Sequence, residues 1–253
     1  MVDIKYITTP TGGTAAFLSH TSNGKTVTSL LESGVSEKGF VAAKSGGFWE
    51  RMSLLFKSPY SVMKRKELQS VSTLARRKPD WFGEGDPAFY DLSQQIIKNI
   101  DEEDLGRLDS IDLTSDKGYF NTINHITSQV FMTALFSEKI ADLVADAHER
   151  KNLPELVHGN FSEEQLADLK NGPLDNYVDM INNEWGQELG ERLKKKHQIT
   201  STTNWAVEFL AMFLNDIQQY YSWTFQVGFE PFKPEDDVVK KFSFKLKKVL
   251  REE

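Results

Sequence analysis

Apolar side chains recur at helical spacing along most of the chain after residue 115. Steps of three and four residues place them on one side of a helix, where they can pack against a core. The pattern predicts helices over residues 119–136, 137–150, 174–196, 204–225 and 237–251. Ser137-Glu138-Lys139 is a typical helix start, and Asn152-Leu153-Pro154 is a typical helix stop.

Upstream of residue 115 the helical pattern is interrupted. Residues 48–78 predict one helical stretch, because Phe48, Met52 and Leu55 recur at near-helical spacing. The run 79–87 contains two prolines and two glycines, which predict a break. Residues 88–100 predict the next helix.

Residues 1–48 are rich in Gly, Ser and Thr, and their helical periodicity is weak. They predict loops, with a short strand over residues 4–8 and a short helix near residues 27–31. We therefore expect a mainly α, multi-helix globular domain with an irregular Gly/Ser/Thr-rich N-terminal segment. Residues 1–115 are expected to form an N-terminal segment or subdomain of loops and helices, and residues 116–253 the helical domain that carries the candidate site.

The amino-acid composition limits which catalytic groups, metal ligands and partners the chain can use. The 253 residues include no cysteine, so disulfides and thiolate nucleophiles are excluded, and metal ligands must come from His, Asp, Glu, Asn or backbone oxygen. The formal net charge of −7 disfavours nucleic acid as a partner, because a phosphate backbone is held chiefly by basic surface.

The chain is expected to be cytoplasmic in the cell that makes it. Residues 1–10 hold one Lys and no long apolar run, which predicts no signal peptide. Action outside that cell would require another export route. The most apolar stretch, residues 205–229, contains polar side chains that are costly in hydrocarbon, so no transmembrane span is predicted. These side chains are Glu208, Asn215, Asp216, Gln218 and Gln219.

The predicted helix 174–196 has an apolar face beside a polar one. The apolar face consists of Leu174, Val178, Ile181, Trp185 and Leu189. The neighbouring face carries short acidic and amide side chains followed by glycines: Asp175, Asp179, Asn182 or Asn183, Gly186 and Gly190. Glycine destabilises a helix by roughly 1 kcal/mol relative to alanine, so the two glycines indicate close approach of another backbone or of a ligand.

Two preceding helices add ionisable groups. His125 lies in an apolar setting, and Asp146, His148 and Glu149 lie near the end of the following helix. On a regular helix Asp146 and Glu149 share a face that His148 does not. Imidazole, carboxylate and amide groups suit either a hard or borderline metal ion or general acid–base catalysis on water.

A structural interpretation of the same residues stays open. His125 alone is typical of a buried, hydrogen-bonded histidine, and Asp179 and Asn182 are typical of hydrogen bonds between helices. His148 and Glu149 are also compatible with an exposed helix end. The sequence contains no His-Glu-x-x-His motif that would select the metal interpretation.

Three short blocks carry a resemblance to a known family. They are His125, then Asp146-Ala147-His148-Glu149, then Asp179-Met180-Ile181-Asn182-Asn183-Glu184-Trp185-Gly186. Residues 118–192 thereby resemble a family of small helical bacterial domains, found among polymorphic-toxin, phage and secretion-associated proteins, many of unknown function. The family pattern is an Arg-His pair, Asp-Ala-His-Glu and Asp-x-x-Asn-Asn-x-x-Gly. This chain departs from it at Asn121 and Asn124, where an acidic residue and an Arg are expected.

The resemblance favours an antibacterial effector with hydrolase activity and with peptidoglycan as the preferred substrate class. In a muramidase-like version, Glu149 is the acid, Asp179 is the second carboxylate and His148 is a further catalytic candidate. In a metal-assisted version, Glu149 activates water on a divalent ion. That ion would be held by His125, His148 and Asp179. The residues expected to bind substrate or support the site are Asn182, Asn183, Asp146 and Gly186.

Two other functions stay open. A non-catalytic adaptor or immunity-type protein would use the polar cluster as a buried network, whereas a hydrolase would open Glu149 and Asp179 on a cleft. A toxin acting on lipid or nucleic acid would use the basic residues 57–78 or the tail helix. The apolar residues of that tail are Phe242, Phe244, Leu246 and Leu250. The expected partner is a secretion-machine component or an immunity protein.

Overall fold

The structure, a computed structural model, describes residues 2–10, 12–108, 113, 118–152, 162–167 and 173–251. Its strands are β1 (Asp3–Thr8), β2 (Thr14–Ser22) and β3 (Lys25–Leu31). Its helices are α1 (Glu37–Ser45), α2 (Phe48–Lys57), α3 (Pro59–Met63), α4 (Arg65–Leu74), α5 (Pro79–Phe82), α6 (Phe89–Lys98), α7 (Glu102–Leu105), α8 (Tyr119–Leu135), α9 (Glu138–Asn152), α10 (Glu163–Ala167), α11 (Pro173–Lys196), α12 (Val207–Phe225) and α13 (Asp237–Arg251). The predicted mainly α, multi-helix fold is confirmed.

Within the N-terminal segment, which was expected to be irregular, three strands form a regular sheet. Its strands pair antiparallel in the order β1-β2-β3, so the strand predicted at residues 4–8 is confirmed and the helix predicted at residues 27–31 is wrong. Asn23 and Gly24 join β2 to β3 with φ of 48° and 76°, the left-handed backbone that a two-residue hairpin turn requires. β3 buries every second side chain, which is the period of a strand.

The helical stretch predicted over residues 48–78 is three helices. α2 ends at Lys57 and α3 begins at Pro59, because proline has no N–H to donate and is tolerated best in the first helical turn. α4 packs into the protein through Val71 and Leu74. α2, in contrast, has no buried residue.

The main hydrophobic core joins elements from both halves of the chain. Its large buried side chains include Leu74, Phe89, Phe131, Phe213 and Phe242. The Phe131 ring centroid lies 5.2 Å from that of Phe213 and 5.5 Å from that of Phe242. Helices α4 and α6 therefore share a core with the C-terminal helices, and the predicted boundary at residues 115 and 116 falls outside the described residues.

A second, smaller core lies between the sheet and α11. Its buried residues are Ala16, Leu18, Val27, Leu31, Tyr177, Met180 and Ile181. Trp185 contacts both cores, and its indole Nε1 donates a hydrogen bond to His20 Nδ1 at 3.1 Å. Val178, predicted on the apolar face, is 41% exposed, and the side chains of Leu174 and Asp175 lie outside the described part of the chain.

The C-terminal helix α13 has its predicted bounds, but most of its apolar side packs inward. Phe242 and Leu246 are fully buried in the main core, so the tail does not offer them to a membrane, while Phe244 is exposed. Lys245 on the same helix is also fully buried and pairs with Asp86 at 2.7 Å. Among the described residues, no helix has the length and apolar character needed to cross a membrane.

Candidate functional site

Two glycines allow helices α8 and α11 to approach each other closely. A Cβ built on Gly186 would lie 2.7 Å from Gln129 Cβ and 2.8 Å from the Ile126 carbonyl oxygen. A Cβ on Gly190 would lie 2.7 Å from Thr133 Cβ. The close approach predicted from the glycine spacing is confirmed, and what approaches is the neighbouring helix.

The same helix faces carry a histidine–carboxylate pair. His125 Nε2 on α8 lies 3.6 Å from Asp179 Oδ2 on α11. His125 Nδ1 lies 3.0 Å from the side-chain oxygen of Asn183, and Asn121 Nδ2 donates to Asp179 Oδ1 at 2.7 Å. The side chains of His125 and Asp179 are 15% and 17% exposed. Both therefore reach solvent in part.

These hydrogen bonds define what the imidazole can do. An amide oxygen only accepts hydrogen bonds, so Nδ1–H of His125 donates to Asn183 Oδ1. In the neutral ring Nε2 then carries no proton, and it lies beside Asp179. Asn121, which departs from the family pattern, holds the other oxygen of that carboxylate. Nε2 can take up a proton, and Asp179, which lies beside this same nitrogen, stabilises the imidazolium that results through its charge.

Buried amides extend this contact along the two helices. Asn182 Nδ2 donates to Thr122 Oγ1 at 3.4 Å, and Gln187 Nε2 donates to Gln129 Oε1 at 3.3 Å. Asn182, Asn183 and Gln187 are all buried. Because buried amides are costly without partners, these pairs fix the register of α8 against α11.

A cluster of three carboxylates lies where α9, α11 and β3 meet. Asp142, Asp146 and Glu184 line it together with Ser29 and Asn183. Burial raises the pKa of Asp146 to about 7, and burial likewise raises the pKa of Glu184 to about 7. Among the described residues, the space between these side chains admits no water molecule. The acidic cluster is therefore closely packed.

Arg150 connects the acidic cluster to the end of the sheet. Its Nη2 donates to Asp146 Oδ2 at 2.8 Å, and its Nε donates to the Glu32 carbonyl at 2.9 Å. Gly34 leaves room for the guanidinium, since a Cβ there would lie 2.9 Å from its central carbon. The charge of Arg150 opposes the effect of burial on the pKa of Asp146.

The acidic cluster is expected to make the folded protein less stable as the pH rises from about 4 to about 7. Glu184 and Asp146 have pKa values of about 7 in the folded protein, whereas such carboxyl groups ionise near pH 4 in an unfolded chain. The folded state binds more protons in this window, so the free energy of unfolding falls as the pH rises. Glu184→Gln should flatten this slope and raise stability near pH 8 by on the order of 1–2 kcal/mol.

Urea unfolding across that pH range measures the slope. Glu191→Gln, on the same helix but outside the acidic cluster, is the control and should keep the wild-type slope. An unchanged slope in Glu184→Gln would mean that Glu184 does not keep its proton in the folded protein.

The residues of the Asp-Ala-His-Glu block lie in different surroundings. Glu149 is 1% exposed, whereas the His148 side chain is about half exposed, with Nδ1 3.7 Å from Glu37 on α1. Partial burial, followed by the charge of His125, lowers the pKa of His148. Glu149 therefore does not open on a cleft, while Asp179 reaches solvent in part.

The predicted metal ligands do not converge. Within the described ranges, no group of three or more His, Asp or Glu side chains is arranged to hold a metal ion. His125 and Asp179 lie close together, but His148 pairs with Glu37 instead. The set of ligands predicted from the sequence therefore does not fit a divalent ion.

Sequence reasoning missed three residues that the fold brings to this region. Arg150 follows Asp146 by four positions, the spacing of a helical ion pair, and this signal was available in the sequence. Glu184 joins the acidic cluster from another helix, so nothing local to its sequence assigns it there. Ser29 lies on β3, where the sequence pattern predicts a helix instead of a strand.

The comparisons with known proteins add no support for a family. No family model, curated protein or solved structure matches the chain. The resemblance therefore rests on the three short blocks alone, and it stays a prediction.

Proposed function

We propose that the chain is a hydrolase in which His125 acts as the general base. The observation that carries the proposal is the His125–Asp179 pair, with Asn183 on the far side of the imidazole and Asn121 on the far side of the carboxylate. Both reacting side chains are partly exposed, and both lie on helices held together by the glycine contacts. A site on rigid elements keeps its geometry before substrate binds.

In the proposed reaction, His125 Nε2 takes a proton from a water molecule as the water oxygen attacks an electrophilic carbon of the substrate. The charge of Asp179 stabilises the imidazolium, and Asn183 keeps the ring in place through its hydrogen bond with Nδ1. The imidazolium then returns its proton to the leaving group. One water molecule is thus added across the bond that breaks.

Peptidoglycan is the proposed substrate class, and an antibacterial effector is the proposed biological role. Delivery by a secretion machine and neutralisation by an immunity protein belong to the same proposal. Its support is the resemblance of residues 118–192 to domains of toxin and secretion-associated proteins.

Digestion of purified peptidoglycan by the full chain, followed by mass spectrometry of the products, tests the proposal. His125→Gln is expected to lower the rate by about 10²–10⁴-fold, the usual effect of losing a general base. Asp179→Asn is expected to lower it by at least about tenfold, because the imidazolium loses its neighbouring charge. The product masses show whether the bond that is cleaved is glycosidic or peptide.

The chain offers a matched control in a second histidine–carboxylate pair. His197 Nε2, just after α11, lies 2.5 Å from Asp216 Oδ2 on α12, so Asp216→Asn should leave the rate unchanged. If Glu149→Gln loses cleavage and His125→Gln keeps it, the muramidase-like version is supported. If a chelator abolishes cleavage by the wild type, the metal-assisted version is supported. No cleavage by folded wild type, or equal rates in wild type and His125→Gln, contradicts the proposed site.

A non-catalytic interaction protein is the second candidate function. Glu149 is sealed and the acidic cluster is closely packed, as in a buried network that sets helix packing. On this alternative, His125→Gln lowers the free energy of unfolding and weakens partner binding, while peptidoglycan stays uncut by every variant.

A further inference from the structure

Large apolar side chains are exposed together on α1, α2 and α3. Among them are Val41, Phe48, Trp49, Leu55, Phe56 and Met63. Trp49 and Phe56 are each 79% exposed. We call this part of the chain, residues 38–66, the aromatic–basic surface.

The apolar positions of α2 follow helical spacing, as they do in a helix that packs against a core. Phe48, Trp49, Met52, Leu55 and Phe56 fall on one side of the helix. Within the described residues this side is not covered, since α2 has no buried residue. The Phe48 and Trp49 rings also contact each other, with their centroids 5.4 Å apart. Large apolar side chains exposed along one side of a helix are typical of a contact surface.

The aromatic–basic surface is positively charged within an acidic protein. Residues 38–66 contain seven Lys or Arg and one Glu, a formal net charge of +6, whereas the whole chain carries −7. The exposed basic residues are Lys38, Lys44, Arg51, Lys57, Arg65 and Lys66. Basic side chains around aromatic and aliphatic ones complement the two layers of an anionic bilayer surface, its charged headgroups and the acyl chains below.

We infer that the aromatic–basic surface docks on an anionic lipid bilayer, with Trp49 and Phe56 inserted at the headgroup boundary. Aromatic side chains of this kind are favoured at that depth. Val41, Leu55 and Met63 have no flat face on which a base can stack, so the surface fits lipid better than single-stranded nucleic acid. This contact does not depend on the chemistry at His125.

Co-sedimentation of the full chain with vesicles tests the inference. Vesicles of equal parts phosphatidylglycerol and phosphatidylcholine should bind the wild type, and binding should weaken as salt is added. Phosphatidylcholine vesicles should bind it at least about tenfold less. The double variant Trp49→Ser/Phe56→Ser should lower the partition coefficient by at least about 100-fold, because inserting each aromatic side chain contributes roughly tenfold or more.

Trp223→Ser is the matched control, since Trp223 is exposed on α12 outside the aromatic–basic surface, and this variant should bind as the wild type does. Circular dichroism and urea unfolding check that each variant folds. Arg51→Gln/Lys57→Gln, which changes only charge, provides a second test and should weaken binding to anionic vesicles about tenfold.

Several results would overturn the inference. One is a wild type that stays in the supernatant with anionic vesicles, and another is an equal loss of binding in Trp223→Ser. Tighter binding to single-stranded DNA than to vesicles would assign the surface to nucleic acid. A dimer in solution that dissociates in the Trp49→Ser/Phe56→Ser variant would assign it to a second copy of the chain.

Discussion

Lys245→Met is expected to lower the free energy of unfolding by about 3–5 kcal/mol, the usual result of breaking a buried ion pair. The Lys245 and Asp86 side chains are 0% and 1% exposed and lie 2.7 Å apart. Lys245 Nζ also donates to the carbonyls of Arg76 and Pro87, each at 2.8 Å. Methionine would leave the Asp86 charge and both carbonyls without this donor, which is what makes the loss large.

Urea unfolding at neutral pH measures this loss. Lys248→Met is the matched control on the same helix, because Lys248 is exposed, and it should change stability by no more than about 0.5 kcal/mol. The double variant Lys245→Met/Asp86→Asn should recover part of the loss, since it no longer buries an unpaired charge. Equal free energies of unfolding for Lys245→Met and Lys248→Met would show that breaking the Lys245–Asp86 pair does not destabilise the protein.

Gly186→Ala and Gly190→Ala are each expected to lower the free energy of unfolding by about 1–3 kcal/mol, although alanine is the better helix former. The added Cβ would meet backbone or side-chain atoms of α8 at 2.7 to 3.1 Å, so the two helices must separate. Separation also pulls Asp179 and Asn183 away from His125. Any hydrolytic rate should therefore fall in these variants even though no reacting group is changed.

Gly106→Ala is the control for these substitutions. Gly106 has a φ of −67° and its Cβ would meet nothing nearer than 3.9 Å. Alanine there should leave stability unchanged or raise it by about 0.4–1 kcal/mol, through the smaller entropy of the unfolded chain. Stabilisation of the protein by Gly186→Ala would show that α8 and α11 are not in the close contact described.

The parts of the site that lie on α11 could be predicted from sequence because their positions depend on helical geometry alone. Asp179, Asn183, Gly186 and Gly190 follow one face of a long helix, and all four contact α8. The partner His125 was predicted as a candidate from its residue type and from the resemblance. Its pairing with Asp179 required the packing of two helices, which no local pattern specifies.

The sheet and the burial of Glu149 could not be predicted in the same way. Asn23-Gly24 is a strong hairpin signal, but the strands on either side are rich in Thr and Ser, so the sequence predicts loop over β2 and a short helix over residues 27–31 of β3. Helix periodicity indicates which side of α9 Glu149 occupies but not what covers that side.

The sheet precedes in the chain the helix that covers it. The residues that bury its inner face, Tyr177, Met180 and Ile181, lie on α11, far downstream of β3. On the ribosome, the hairpin therefore emerges long before its packing partner, and a small sheet with an uncovered apolar face is marginal in water. Until α11 is released, the nascent sheet presents that face to chaperones and to neighbouring chains.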